Sequence, residues 1–108
     1  MAFITEAEIE KALSWLVANA VPAAKARAER QYVEEYLRVI KAMIMQEHHN
    51  LTVNAQEREA YADVRYLQQL DAIREAIQKD EENRFLRSAA EIKVEAWRTQ
   101  CSNERMGI

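Results

Sequence analysis

Gln46-Glu47-His48-His49 is the stretch of this chain whose residue types come closest to a metal site. Carboxylate–histidine sites on helices place their ligands one turn apart, as in Glu-x-x-His. Here Met45 and Gln46 stand three positions before the histidines, and adjacent helical residues point about 100° apart. The spacing therefore predicts a solvated helix end, where protonated histidine complements the helix dipole; neither a metal nor another cofactor is expected. Glu34, Glu35, Asp80, Glu81, Glu82, Glu91 and Glu95 supply carboxylates. Acid–base work needs a pocket that drives two pKa values apart, whereas these positions read as outer helix faces, with Glu91 one turn from Arg87 as a surface pair. Ser14, Ser88 and Ser102 have no histidine at a recognisable spacing. The one glycine, Gly107, lies at the end of the sequence, so the glycine-rich turns of phosphate-binding loops and dinucleotide folds have nothing to build them. The chain reads as a non-enzyme.

The basic residues offer a binding chemistry instead. Lys25, Arg27, Arg30, Arg38, Lys41, Arg58 and Arg65 fall in the middle of the chain, near Tyr32, Tyr36, Tyr61 and Tyr66. Cations that follow a phosphate backbone beside aromatic rings that stack bases are the parts of a single-strand-binding surface. Acidic residues are interleaved with them, and the simpler reading is a set of solvated helix faces. A ring of subunits would repeat weak basic positions and add avidity.

The elements that must position these groups are helices. With Gly107 and Pro22 as its only glycine and proline, the chain has almost none of the residues that build hairpins and bulges, and an all-α fold follows. Its 108 residues suit one domain. Thr5 and Glu8 make a capping box that starts a helix near Glu6, with an apolar seam of Ile9, Leu13, Leu16 and Ala20 beside Trp15. Pro22 predicts a break or strong kink at Asn19–Val21, so helices are expected over about 6–19 and 22–48. The second carries a seam of Ala26, Arg30, Val33, Leu37, Ile40 and Ile44, with a second stripe of Tyr32, Tyr36, Val39 and Met43. A short helix over about 55–62 and a long one over about 64–103, capped by Asp63, complete the set. In the last helix Tyr66, Leu70, Ile73 and Ile77 form a stripe that Gln78–Arg84 interrupts. Phe85, Ala89, Ile92 and Ala96 resume it, widened by Leu86, Ala90, Val94 and Trp97. Such an interruption turns a stripe about the helix axis, which predicts different partners for the two halves and self-association into a helical bundle or hairpin oligomer.

Net charge −3 gives no global pull toward nucleic acid or anionic lipid. A lone Cys101 excludes an internal disulfide and suits a reducing cytosol. No apolar run approaches the roughly 20 residues of a membrane span and no leader segment is visible, so a cytoplasmic protein without membrane attachment is expected.

The segments Ala28–Met45, Gln56–Asp63 and Phe85–Gln100 together resemble small helical phage and prophage proteins, and in organisation the UvsY-type recombination mediators of tailed phages. The likeness lies in a basic–apolar helix carrying Lys41-Ala42, a short helix with Arg58, and a long helix with spaced aromatic and basic residues. It implies a helical oligomer that binds single-stranded DNA and helps load a recombinase. Lys41 would be the DNA-contacting lysine and Arg58 a second contact, with Arg38, Arg30 and Arg65 as further nucleic-acid-binding candidates. The other reading is a protein–protein adaptor or inhibitor of a host or defence protein, since a small acidic helical protein suits basic surfaces.

Overall fold

A computed structural model describes residues 3–107. They form three α-helices, α1 (Glu6–Glu47), α2 (Val53–Ala62) and α3 (Val64–Arg105), and no strand is found among the described residues. The all-α class and the long C-terminal helix match the sequence reading. Local capping sets the boundaries. Thr5 N donates to Glu8 Oε2 at 2.9 Å while Glu8 N donates to Thr5 Oγ1 at 3.2 Å, the reciprocal pair of a capping box. After α1, His48 and His49 close tight turns onto the Met45 and Gln46 carbonyls. Thr52 then caps α2 by accepting from Ala55 N at 3.2 Å. Asp63, extended at φ −73° and ψ 138°, is the one residue between α2 and α3. Its Oδ1 accepts from Arg65 N at 2.8 Å, the expected N-cap role. At the other end Gly107 takes φ +73° and donates to the Glu104 carbonyl. The sole glycine thus sits at the left-handed position that ends α3.

Pro22 does not divide α1, which continues from Glu6 to Glu47 with the proline inside it. This corrects the expected pair of helices. Proline removes the hydrogen bond to residue i−4, here Ala18; both Pro22 and Ala18 are exposed, and an unpaired carbonyl costs least on an exposed face. α2 and α3 begin or end about two residues beyond the predicted limits.

The chain forms two compact units. Lys25–Asp80 contains the later part of α1, all of α2 and the start of α3. In it α1 and α3 run antiparallel, with Gln69 Nε2 donating to the Val33 carbonyl and Arg65 reaching Glu47. Its core is Ala26, Val33, Ile44, Ala60 and Ala76. Ile44 is the one large side chain among the described residues that is fully enclosed. The other unit joins the start of α1 to the end of α3. These segments are also antiparallel, as Gln100 bonds both backbone groups of Ile4, and Arg87 Nη1 donates to the Leu16 carbonyl and to Asn19 Oδ1. Ile9 is its buried residue.

Within each unit a row of covered positions takes alternating three- and four-residue steps, the spacing of helices packed nearly side by side, with residues such as Trp15, Lys41, Met45, Arg65, Ala72 and Ile77 half-buried beside it. On α1 the row is 9, 12, 16, 19 and 23 in one unit and 26, 30, 33, 37, 40 and 44 in the other. On α3 it is 66, 69, 73, 76 and 80, then 83, 87, 90, 94, 97 and 101. Phe85, Ala89, Ile92 and Ala96, the stripe expected to resume after Gln78–Arg84, are all exposed, whereas Tyr66, Ile73 and Ile77 before it are half-covered. Asp80, Asn83 and Arg87 occupy seam positions, and polar partners satisfy them: Arg30 for Asp80, Asn19 for Asn83 and for Arg87. The predicted second stripe on α1 is solvent-facing, with Tyr32 63% and Met43 50% exposed.

Candidate nucleic-acid interface

The cations expected to meet DNA belong to the Lys25–Asp80 unit, and most are held by carboxylates or rings. Arg65 makes a fork: Nη1 and Nη2 donate to the two Glu47 oxygens at 2.7 and 2.9 Å, while Nε and Nη2 donate to Asp63 at 3.0 Å. These bonds hold Glu47 and Asp63 below the usual carboxylate range and raise Arg65 further above neutrality. Bidentate carboxylate pairing is the strong form of the arginine hydrogen bond, so Arg65 ties the end of α1 to the start of α3. Arg30 Nε donates to Glu34 at 3.0 Å and its Nη1 to the buried Asp80 at 3.1 Å. Lys41 Nζ donates to Tyr61 Oη at 3.0 Å, 4.8 Å from that ring's centroid and 4.0 Å from Glu57. The Tyr61 bond raises the Lys41 pKa, opposed by partial burial and aided by Glu57. Tyr61 packs edge-on against Tyr66 at 5.3 Å. Arg58 is exposed on α2. Arg38, 83% exposed, lies 3.8 Å from Glu35. Of the five candidates, Arg38 and Arg58 present the most accessible charge.

A different grouping was not legible as a site in the sequence. In the unit formed by the two chain ends, an open groove of about 510 Å³ is lined by Glu8, Lys11, Ala12, Trp15, Leu86, Ala89, Ala90 and Lys93. Trp15 is half-buried, and Lys11 and Lys93 are exposed. Neither lysine has a hydrogen bond or ion pair among the described residues. Ala12 and Ala90 occupy seam positions, and their small side chains leave the depression that Trp15 borders. Glu8 is partly committed to the Thr5 cap. A groove lined by an indole and two lysine ammonium groups can stack a base and attract the phosphates on either side. Lys11 and Trp15 are one helical turn apart in the sequence, a visible signal. Lys93 joins them only through the antiparallel pairing of α1 with α3.

His48 and His49 lie at the α1–α2 turn, where His49 Nδ1 is 3.2 Å from the Gln46 carbonyl. Among the described residues no three His, Cys, Asp or Glu side chains converge as a metal site, and no helix is long and apolar enough to cross a membrane. No protein-family model, curated protein or solved structure matches the chain.

Proposed function

We propose that this protein is a non-enzymatic helical protein that associates with copies of itself and binds single-stranded DNA, working with a partner such as a recombinase in phage or prophage recombination or replication. The groove carrying Trp15, Lys11 and Lys93 is the observation that supports the reading. There Trp15 shares a groove with two lysines that make no ion pair among the described residues. The strand lies along the groove with one base against Trp15, and Arg58 adds exposed charge elsewhere.

The test is fluorescence anisotropy of a labelled oligothymidylate titrated with the full chain at low salt. Affinity that falls steeply with added salt and is lost in the Lys11→Ala/Lys93→Ala variant supports the proposal. No binding at low salt overturns it. A second reading, a protein–protein adaptor or inhibitor, is favoured by exposed Leu67 and Leu70 on α3 and by the acidic balance of the chain. It predicts no oligonucleotide affinity in the same titration.

A further inference from the structure

The outward stripe of α1 has a self-complementary layout. Tyr32, Tyr36, Val39 and Met43 are all exposed, and their spacing of four, three and four residues reads the same in both directions. Tyr32 and Tyr36 stack with centroids 5.8 Å apart and planes 17° from parallel, which gives the stripe a flat end. Glu35 and Arg38 flank one edge. Their in-chain contact is 3.8 Å long, with side chains 71% and 83% exposed, so neither is firmly held. Ala42 lies on the same edge and lets a second helix approach closely.

We propose that this face is an isologous interface with a second copy of the same chain, the two α1 stripes packing antiparallel about a two-fold axis between Tyr36 and Val39. In that arrangement Tyr36 meets the partner's Val39, and Tyr32 meets the partner's Met43, an aromatic–thioether contact. Arg38 of each copy reaches Glu35 of the other, so a single axis completes two ion pairs. Charge complementarity with itself is what selects a second copy over a foreign helix as the occupant. The inference rests on the self-association part of the proposed function and leaves the DNA groove untouched.

Sedimentation velocity on the full chain tests it, with circular dichroism to verify helicity of each variant. The wild type is expected to dimerise. Glu35→Arg and Arg38→Glu, each alone, set like charges opposite one another and weaken dimerisation by roughly tenfold or more. An equimolar mixture of the two variants restores it, because the heterodimer regains both ion pairs although neither chain regains its internal one. Val39→Glu abolishes the dimer. A monomeric wild type overturns self-association itself. A wild-type dimer that both charge reversals leave unchanged overturns this interface alone.

Discussion

Arg30 Nη1 donates to Asp80 Oδ2 at 3.1 Å, joining a cation and a carboxylate that both stand at apolar seam positions. Asp80 is 5% exposed, whereas Arg30 also reaches outward to Glu34. Removing one member strands the other. Arg30→Met is expected to cost about 3 kcal/mol, because it leaves a buried carboxylate without its partner. The double variant Arg30→Met/Asp80→Leu recovers most or all of that loss, since an apolar pair of similar volume needs no compensation. Urea unfolding of the two variants beside wild type measures the difference. Equal losses in the single and double variants contradict it.

The same pair explains what was hidden in the sequence. The all-α class was plain from the glycine and proline content, and the caps at Thr5, Glu8 and Asp63 could be read residue by residue because each acts over a few positions. Polarity conceals part of the α3 seam. Asp80, Asn83 and Arg87 are seam residues whose partners, Arg30 and Asn19, are fifty or more positions away, and only the helix pairing reveals them. The groove was obscured in the same way, since Lys93 has no sequence-local relation to Trp15. Neither charge, nor neighbouring tyrosines, nor the resemblance discloses that Glu47 and Asp63 already pair with Arg65.

Pro22 lies inside α1 on an exposed face, with Ala18 one turn before it. Pro22→Ala restores a helical N–H and the missing bond. It is expected to stabilise the chain by about 1–2 kcal/mol, less than the ~3 kcal/mol propensity gap because alanine also frees the unfolded chain. Thermal unfolding followed at 222 nm is the check, and an unchanged or lowered Tm refutes the expectation.

The Arg65 fork makes stability depend on pH. Glu47 and Asp63 have folded-state pKa values below their unfolded ones. Their contribution is therefore complete above the ordinary carboxylate range and fades as pH falls through the depressed folded values. Melting temperature should drop on acidification from neutral pH to below pH ~4. Arg65→Gln should flatten that dependence while lowering the neutral-pH Tm. Parallel Tm–pH curves for the two proteins would show that the fork is not its source.

Under the proposed function, the two chemistries of the Trp15 groove can be separated. In the Trp97→Phe background Trp15 is the only indole, and a base stacked on it quenches its fluorescence. Each lysine that neutralises a phosphate of a single strand adds about 0.7 to the slope of log affinity against log salt. Lys11→Ala and Lys93→Ala should therefore each flatten that slope by about 0.7 while leaving the quench at saturation in place. Trp15→Ala should weaken binding at every salt concentration, by about 1–3 kcal/mol for a lost base stack, with the slope unchanged. Arg58→Ala, on a helix of the other unit, should leave the Trp15 quench at saturation intact. Lys41→Ala should leave it intact as well, while its lost Tyr61 contact registers as a lower Tm. Binding without quenching of Trp15, or a slope insensitive to both lysines, would place the strand elsewhere on the protein.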